Sequence, residues 1–506
     1  MAFYITTSIS YVNGRPHLGH AYEAIASDIV ARHHRQRGED VFFLTGTDEH
    51  GEPVADSARA NGMEPRAWAD LNAAKFQAML PTLSVEPDFF IRTTDPEHAR
   101  RVQAVLQTVH DNGYVYKGTY AGWYCPRCAD FKVENEILEG NRCPIHEIPL
   151  TREHEENYFF ALSAFQERLE TFFSEHPGFI APARARNEAE AFLAGGLQDV
   201  SLSRAKLNWG ITVPWDPGHV FYVWFDALLN YYTAPGFARP GVDLTAALWP
   251  ADVHMIGKDI LKFHTIFWPA LLMAAGLEPP RGVYVHGHLA AADGRRMSKS
   301  FGNGIDPAEA VDRFGSPDPL RFYLMRDVRY GTDGPVSLDA LTARYESELA
   351  NDLGNLASRT LAMIVRYRDG QVPPAPLDPE LVDAFTGLPD TVAAAIDAID
   401  LSGGLEAIWQ RVRRLNRYVE ERRPWELARE PTATGQLDSV LASLHEGVRA
   451  LAVLLAPYIP TSAHTLLNAL GRPESGYGAA AFGAGTDGPP VRVATIAPLF
   501  PKAPAA

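Results

Sequence analysis

The chain has 506 residues, of which 46% are hydrophobic and 21% are charged, and its formal net charge is −16. This length exceeds what one compact core holds and predicts roughly two to four domains. The negative balance argues against general adhesion to nucleic acid but allows a local basic patch. No apolar run approaches the roughly 20 residues of a membrane span, and the N-terminus lacks signal-peptide features. We therefore expect a cytoplasmic protein that does not bind a membrane.

The N-terminal segment has the order strand, loop, helix, strand, with which nucleotide-binding α/β units open. The predicted elements are a strand at residues 3–9, a helix at about 19–37 and a strand at 41–44. His17 and His20 flank the start of the helix, where free backbone N–H groups and positive potential attract phosphate. Two histidines around Gly19 are more often an ordinary helix start, so this pair alone does not identify a function.

A polar segment, residues 45–51, follows the second predicted strand and reads T-G-T-D-E-H-G. Its side chains are expected at the C-terminal end of that strand, where open α/β sheets bind ligands. A tight polar turn is the more common meaning of such a cluster. We interpret His33, His34 and His154 as exposed residues without a function.

All three cysteines lie in a stretch, residues 116–219, where the strand–helix alternation is lost and an inserted domain is predicted. Cys125-Pro-Arg-Cys128 is followed, after fourteen residues, by Cys143-Pro-Ile-His146. Two such knuckles fit one tetrahedral zinc ion held by three thiolates and one imidazole. This complete set leaves no coordination position for water, so a structural zinc is expected. Cysteines without metal, or iron in place of zinc, are the alternatives.

An aromatic segment, residues 220–232, comes next. Aromatic density usually means core packing, but Trp224, Ala227 and Tyr231 recur at three- and four-residue steps and so share one helical face. A strand that turns into a helix is predicted at residues 253–260, with Phe263 and His264 following on that helix.

A strand predicted at residues 282–288 leads into a basic loop, residues 296–300, that reads R-M-S-K-S. The glycines around this loop indicate mobility, and Lys299 offers a point charge for phosphate oxygens. An ordinary basic surface loop is the alternative.

Long amphipathic helical patterns dominate after residue 305, for instance at residues 341–364 and 401–427. Six arginines occur between Arg411 and Arg423. A charge run is usually a solvated helix face, and Glu420 and Glu421 partly neutralise this one. In an acidic chain it is nevertheless the best candidate for contacts with RNA phosphates.

Two of these motifs, H-L-G-H at residues 17–20 and R-M-S-K-S, resemble the H-I-G-H and K-M-S-K-S pair of class I aminoacyl-tRNA synthetases. With the T-D-E-H segment, the aromatic segment and the zinc knuckle, the chain resembles the methionyl-tRNA synthetase family over nearly its whole length. The resemblance implies an α/β fold with a parallel, Rossmann-like catalytic domain, a zinc-knuckle insertion and an α-helical anticodon-binding bundle. The implied domains are the first catalytic half at 1–115, the inserted domain at 116–219 with the knuckle at 125–146, the second catalytic half at 220–304, a stem-contact region at 305–345 and the anticodon-binding domain at 346–506.

The resemblance also implies the roles of individual residues. The catalytic residues would be His17, His20 and Lys299. The ATP-binding residues would be His17, Gly19, His20, Asp259, Ser298, Lys299 and Ser300. The methionine-binding residues would be Ile9, Tyr11, Asp48, Trp224, Ala227, Tyr231, Phe263 and His264, with Asp48 pairing with the substrate's ammonium group. The anticodon would face Arg413, Asn416 and Arg417.

The chain departs from the family's pattern at three points. Arg296 replaces the usual first lysine of the K-M-S-K-S motif, which keeps the charge but changes its geometry. Leu228 stands where some relatives carry proline. The aromatic residue that stacks on the anticodon has no clean match, and Tyr477 and Phe482 are the candidates.

The implied activity is that of a methionine–tRNA ligase, with ATP and its Mg²⁺, L-methionine and tRNA(Met), including the initiator, as substrates. We expect a monomer, because the chain ends close to where the family's bundle finishes and lacks room for the dimer-forming domain of some relatives. Synthetases for isoleucine, valine or leucine would need a larger editing insertion than the roughly hundred residues present here. A cysteine enzyme would leave an open position on its zinc.

Two alternatives come from other classes. A non-catalytic zinc-ribbon protein that binds RNA would explain the knuckle and the arginine-rich helix, but not the H-L-G-H, T-D-E-H and R-M-S-K-S motifs in this order. A nucleotidylyltransferase would share the phosphate-binding histidines but would need neither the aromatic segment nor the helical C-terminal third.

Overall fold

The structure, a computed structural model, describes residues 2–125, 130–132, 137–145, 147–291, 305–486 and 490–501. The chain forms two compact units. The first unit comprises Met1–Pro16, Phe42–Met79 and Pro87–His286, and the second comprises His17–Val41, Leu80–Glu86 and Gly287–Ala506. The domain boundaries expected from the sequence stay a prediction.

The strands are β1 (Phe3–Thr7), β2 (Ser10–Tyr11), β3 (Val41–Asp48), β4 (Phe89–Arg92), β5 (Val115–Cys125), β6 (Asp130–Lys132), β7 (Thr151–Phe160), β8 (Ile180–Ala181), β9 (Val200–Ser201), β10 (Ser203–Arg204), β11 (Val220–Phe221), β12 (Val253–Gly257), β13 (Val283–His286), β14 (Leu289–Ala291) and β15 (Gly334–Val336).

The α-helices are α1 (Leu18–Gln36), α2 (Glu52–Ala60), α3 (Pro65–Thr82), α4 (Pro96–Asp111), α5 (Gln166–Glu175), α6 (Ala183–Ala194), α7 (Val223–Thr233), α8 (Thr245–Leu248), α9 (Trp268–Ala274), α10 (Pro307–Phe314), α11 (Asp318–Asp327), α12 (Leu338–Arg344), α13 (Asn355–Arg368), α14 (Pro379–Phe385), α15 (Leu388–Asp397), α16 (Leu401–Arg422), α17 (Pro424–Leu427), α18 (Thr434–Leu455) and α19 (Pro460–Ala469). Short 3₁₀ turns lie at Leu162–Phe165, Ala234–Gly236, Lys258–Ile260, Pro431–Ala433 and Tyr477–Ala480, and π-helical segments at Phe263–Phe267 and Tyr345–Gly354. Among the helices that the structure describes, none combines the length and the apolarity that crossing a membrane requires.

A parallel sheet forms the centre of the first unit. Its strand order is β2-β3-β1-β12-β13-β8, with β4 also pairing with β3. In register, Ile5 lies opposite Val253, and Leu44 lies opposite Phe89. Strands in a parallel sheet are covered on both faces, which explains why β1 and β13 are almost entirely buried. The predicted parallel α/β fold is therefore confirmed, and its carboxyl edge includes the end of β3 and the end of β12.

A separate antiparallel sheet with the order β6-β5-β7-β9 lies within the predicted insertion. Strands β5 and β7 pair from Val115 opposite Phe160 to Tyr124 opposite Thr151. Cys125 ends β5 and is buried in a small apolar cluster with Cys143 and Leu150. The two described cysteines of the predicted knuckle, Cys125 and Cys143, thus lie together at the far end of a long hairpin.

The second unit is mainly helical, as predicted. The apolar positions of α16 recur at three- and four-residue steps, so the helix buries one face, where it packs against α15 and α18. The predicted helix at 401–427 is interrupted at Arg423, which has a left-handed φ of 43° immediately before Pro424. A residue before proline avoids the helical region, so α17 starts as a new helix.

His33 and His34 correct an expectation, because we predicted that both would be exposed. Both are buried on α1, with 0% and 8% of their surface accessible. The His33 ring meets the edge of Tyr477 at 5.1 Å, and its Nε2 lies 3.7 Å from Asp397 at the end of α15. Burial lowers the pKa of His33 to about 4, although Asp397 opposes this effect. The side chain of His154 lies outside the described residues.

Candidate active site

Two histidines form the N-terminal cap of α1. His17 has an extended backbone, and its Nδ1 accepts the Gly19 N–H at 3.1 Å, while His20 Nδ1 accepts the His17 N–H at 3.0 Å. The two rings lie 3.8 Å apart at 33°. This reciprocal arrangement is a capping box in which imidazoles replace the usual serine and glutamate.

The cap determines the tautomer of both rings. A ring whose Nδ1 accepts a hydrogen bond is neutral and carries its hydrogen on Nε2. Burial lowers the pKa of His20 well below its ordinary value, and His17 lowers it further, which is consistent with a neutral ring. Gly19 is required locally, because a Cβ there would lie 3.0 Å from His17 Cε1. The H-L-G-H segment therefore presents two Nε2–H donors at a helix N-terminus.

The predicted methionine-binding residues come together in the first unit. Trp224 stacks on Phe263 with 3.7 Å between ring centroids and 6° between planes, and Tyr11 meets Trp224 edge-on at 6.3 Å. Ile9 packs against the same apolar cluster. Ala227 is 5% exposed on the α7 face that carries Trp224. Tyr11, Trp224, Phe263 and His264 are thus linked by ring contacts into one aromatic wall.

Phe263 and His264 lie on a π-helical segment, Phe263–Phe267, which is followed by Trp268 and Pro269. Proline has no N–H to donate to the preceding turn, which favours a local widening of the helix. Such single-turn widenings occur frequently at functional sites. Here the widening places Phe263 on Trp224 and His264 on the hydroxyl of Tyr231.

A chain of hydrogen bonds holds Tyr231. His264 Nδ1 lies 3.0 Å from the Ile260 carbonyl and donates to it, so its Nε2 accepts the Tyr231 hydroxyl at 2.8 Å. The Tyr231 ring stacks on His254 at 4.2 Å, and His254 Nδ1 bonds to Thr6 Oγ1 at 2.9 Å. Burial lowers the pKa of His264 to about 4, which is consistent with this neutral tautomer. Sequence patterns did not indicate His254.

Asp48 is the charged group of this site. It ends β3 opposite Tyr11 of β2 and is 3% exposed. Its Oδ1 is buried and has no hydrogen-bond partner among the described residues. Burial raises the pKa of Asp48 well above its ordinary value, and the negative charge of Asp226 raises it further. A buried carboxylate with an unused oxygen can pair with a cation that enters the pocket.

Asp259 lies on the same edge of the sheet, in the 3₁₀ turn directly after β12, and it is exposed. Asp48 ends β3 and Asp259 follows β12, and one strand, β1, lies between these two strands in the sheet. The remaining predicted ATP contacts, Ser298, Lys299 and Ser300, lie outside the described residues, as does Arg296.

Two of the four predicted zinc ligands are described. Cys125 and Cys143 are both fully buried and pack in one small cluster at the end of the hairpin. Two thiols converging in this way fit a soft-metal site. Cys128 and His146 lie outside the described residues, and within the described ranges no group of three possible metal ligands occurs. The complete ligand set therefore stays a prediction.

The predicted anticodon residues lie on α16 in the second unit. Asn416 and Arg417 line a surface pocket of about 620 Å³. The pocket is also lined by Asp352, Arg359, Glu420, Glu421 and Arg423. Asn416 Nδ2 donates to the Asp352 carbonyl at 3.1 Å, while Arg413 pairs with Glu406 at 2.6 Å.

Arg417 differs from its neighbours in α16. Arg414 and Arg422 form ion pairs with Glu380, and Arg423 pairs with Glu426, whereas Arg417 is exposed and makes no ion pair among the described residues. The two candidate stacking aromatics are engaged in packing. Tyr477 donates its hydroxyl to the Pro389 carbonyl at 2.5 Å, and Phe482 packs on Phe385 at 4.8 Å.

The parallel sheet and the histidine-capped helix after its first strands are features of a nucleotide-binding α/β enzyme. A family model described as "tRNA synthetases class I (M)" matches residues 3–152 and 132–361. The methionine–tRNA ligase of Caldanaerobacter subterraneus is 44% identical over 476 residues, covering 93% of this chain and 74% of that protein. The Streptomyces coelicolor ligase is 44% identical over 489 residues, covering 94% of this chain and 90% of that protein.

Solved structures give the same result. The Mycobacterium tuberculosis methionyl-tRNA synthetase in complex with methionyl-adenylate has a TM-score of 0.94 and 39% identity, covering 99% of this chain and 100% of that chain. The apo form of the same synthetase has a TM-score of 0.86 and 37% identity, covering 100% of this chain and 99% of that chain. The chain therefore belongs to the class I methionyl-tRNA synthetase family.

Proposed function

We infer that the chain is a methionine–tRNA ligase. It activates L-methionine with ATP to methionyl-adenylate and pyrophosphate, and then transfers the methionyl group to the 3′ end of tRNA(Met), including the initiator tRNA, for translation. The observation that carries this inference is the likeness over 99% of the chain to a synthetase solved with methionyl-adenylate. ATP arrives as its Mg²⁺ complex, and the ion neutralises charge on the departing pyrophosphate. We place this reaction in the cytoplasm.

In the first step the methionine carboxylate attacks the α-phosphate, and negative charge accumulates on the phosphate oxygens. His17 and His20 stabilise that charge by donating their Nε2–H groups, whose orientation is supported by the reciprocal cap. Asp259 binds the ribose hydroxyls, and Lys299 contacts the triphosphate. No covalent enzyme intermediate is needed, because positioning and charge stabilisation lower the barrier.

Methionine recognition has a polar and an apolar part. Asp48 pairs with the ammonium group, which is supported by its buried and unpartnered Oδ1. The thioether is unbranched and polarizable, so it suits contact with Trp224, Tyr231 and Phe263. The stacking of Trp224 on Phe263 stabilises this wall by about 0.5–1.5 kcal/mol.

The test of this function is the exchange of labelled pyrophosphate into ATP with each proteinogenic amino acid in turn. Exchange with methionine alone is the expected result. Exchange with another amino acid would keep the class I chemistry and overturn the specificity. No exchange with any amino acid, from folded and zinc-loaded protein, would refute the ligase and favour the RNA-binding alternative.

The insertion carries a structural zinc ion in this proposal. Cys125, Cys128, Cys143 and His146 would hold it, and the burial of Cys125 and Cys143 in one cluster supports the site. A four-ligand zinc stabilises the fold of its domain and takes no part in the reaction. Elemental analysis should give about one zinc ion per chain. The variant Cys143→Ser should lose it, whereas His154→Gln, in the same domain, should retain it.

Arg417 is the proposed anticodon contact, with Asn416 beside it and Arg413 less favoured because of its pair with Glu406. An arginine that neutralises a phosphate makes binding salt-dependent. The variant Arg417→Ala should weaken tRNA(Met) binding and reduce the slope of log affinity against log salt by about one. Arg59→Ala, a 77% exposed arginine of the first unit, is the matched control. Unchanged tRNA affinity and slope in Arg417→Ala would contradict the assignment.

A further inference from the structure

A buried charged cluster lies beside the carboxyl end of β3, and of its members the sequence indicated only His50, as part of the polar segment at residues 45–51. Asp226 is in the first turn of α7 and is 1% exposed. Its Oδ2 lies 2.6 Å from His50 Nδ1, and its Oδ1 lies 2.7 Å from His98 Nε2. His98 Nδ1 in turn lies 2.7 Å from Thr233 Oγ1. Each carboxylate oxygen of Asp226 therefore has its own imidazole.

This arrangement keeps Asp226 ionised. Whether neutral or protonated, the His50 ring can present Nδ1–H and the His98 ring Nε2–H to the carboxylate. In the neutral His98 ring, Nδ1 then accepts the hydroxyl of Thr233. Burial raises the pKa of Asp226, but His50 and then His98 outweigh that effect and hold it below its ordinary value. Asp226 thus carries a negative charge in the interior of the first unit, in contact with two imidazoles.

The charge of Asp226 acts on Asp48. His50 supplies its backbone N–H to Asp48 and its ring to Asp226, so one residue joins the two carboxylates. Glu49, the other acidic neighbour, is balanced by Arg92, which donates to both of its oxygens at 2.6 and 2.9 Å. Among the described residues, the charge of Asp226 therefore acts on Asp48 more strongly than that of Glu49.

We propose that Asp226, held by His50 and His98, is a positioning residue that supplies a second negative charge for the α-ammonium group of the substrate. The proposal rests on the proposed function, because it takes methionine as the ligand of this pocket. Asp48 makes the direct contact. Asp226 does not contact the ammonium group. It adds Coulomb attraction for that cation, and because both carboxylates are buried, water does not screen this attraction.

The variant Asp226→Asn removes the charge and keeps the hydrogen bonds. The amide oxygen can accept from His50, and the amide N–H can donate to His98 Nε2 once that ring moves its hydrogen to Nδ1. Thr233 Oγ1 would then accept from His98 and donate to the Asn230 carbonyl, which already lies 3.4 Å away. Because every group keeps a partner, the shape of the pocket is retained.

The experiment compares calorimetric binding of three ligands to the full chain. These are methionine, methioninol, which keeps the ammonium group but has no carboxylate, and 4-(methylthio)butanoate, which has no ammonium group. At a pH at which Asp48 is ionised in both proteins, the Kd of methionine and methioninol should rise by about tenfold in Asp226→Asn, and that of 4-(methylthio)butanoate should stay unchanged or fall. Thr233→Val, which leaves the charge of Asp226 in place, should bind all three within about twofold of the wild type.

Two results would overturn the proposal. One is equal weakening of all three ligands, which would mean that Asp226 only maintains packing. The other is unchanged methionine affinity. If Asp226→Asn does not fold, His98→Leu serves instead, since it removes one donor and raises the pKa of Asp226. Its loss of methionine affinity relative to the wild type should then grow as the pH is lowered, and a loss independent of pH would count against the idea. Failure of the wild type to bind methionine would instead refute the proposed function.

Discussion

Arg321 is the most consequential single side chain of the second unit. It is fully buried on α11, and its guanidinium donates to Asp28 Oδ2 of α1 at 2.8 Å. It also donates to four backbone carbonyls, those of Leu83, Ser84, Pro457 and Tyr458, at 2.8–3.1 Å. The helix that carries the histidine cap is therefore fixed to two other segments of its unit through one residue.

The variant Arg321→Met should destabilise this unit by about 3 kcal/mol. Methionine replaces the apolar stem but leaves the carbonyl oxygens of Leu83, Pro457 and Tyr458 without their donor, at about 1 kcal/mol each. The Ser84 carbonyl keeps a donor, because Arg32 Nη2 lies 2.8 Å from it. Asp28 is not orphaned, because Arg32 Nε donates to it at 2.7 Å and the Glu86 N–H at 2.9 Å. The total agrees with the roughly 3–5 kcal/mol lost when a buried ion pair is broken.

Native-state hydrogen exchange followed by mass spectrometry measures this loss locally. A destabilisation of about 3 kcal/mol should accelerate exchange of the most protected α1 and α11 amides by about a hundredfold. Arg32→Met is the control, since this side chain is 18% exposed and also contacts Asp28. This variant should accelerate amide exchange by about tenfold at most. Exchange in Arg321→Met no faster than in Arg32→Met would refute the reasoning.

Three further predictions follow from single residues. Gly19→Ala should lower kcat of pyrophosphate exchange about tenfold with little change in KM for methionine, because its Cβ crowds His17; an unchanged kcat would contradict this. Gly46→Ala should destabilise the parallel sheet by about 3 kcal/mol, seen as a lower apparent Tm, because its Cβ would lie 2.2 Å from the Ile91 carbonyl oxygen. Burial raises the pKa of Asp48 well above its ordinary value, and only the carboxylate pairs with ammonium. Methionine affinity should therefore rise with pH until that pKa is passed, and calorimetry below it should detect proton release; a flat profile without release would contradict this.

Local sequence patterns were sufficient for the catalytic α/β core. The alternation of apolar residues predicted β1, α1 and β3 in the right order. However, β3 was predicted to end at Leu44 and actually reaches Asp48. Thr45 and Thr47 continue the parallel pairing with β4, opposite Phe90 and Arg92. Polar side chains hide such an extension, because hydrogen bonding to a neighbouring strand leaves no apolar pattern.

The charged part of the pocket could not be predicted in the same way. His50, His98 and Asp226 stand far apart in the sequence and share no spacing. The packing of α4 on α7 brings His98 to Asp226, and His50 reaches Asp226 from the turn after β3. The burial of His33 has the same origin, because it depends on α15 and on a segment near the C-terminus. Sequence periodicity identifies the face of a helix, but it does not identify the element that covers that face.

The two parts of the proposed methionine pocket therefore differ in how selective they can be. At the aromatic wall, a sulfur atom is distinguished from a methylene group of similar size by sulfur–aromatic contact, which is worth about 0.3–1.5 kcal/mol. At Asp48, a ligand without an ammonium group leaves a buried carboxylate unpaired beside Asp226, which costs about 1–3 kcal/mol or more. The geometry thus discriminates more strongly by charge than by side-chain chemistry. Residues distant in the sequence set this charge discrimination, whereas Trp224 and Tyr231 set the shape.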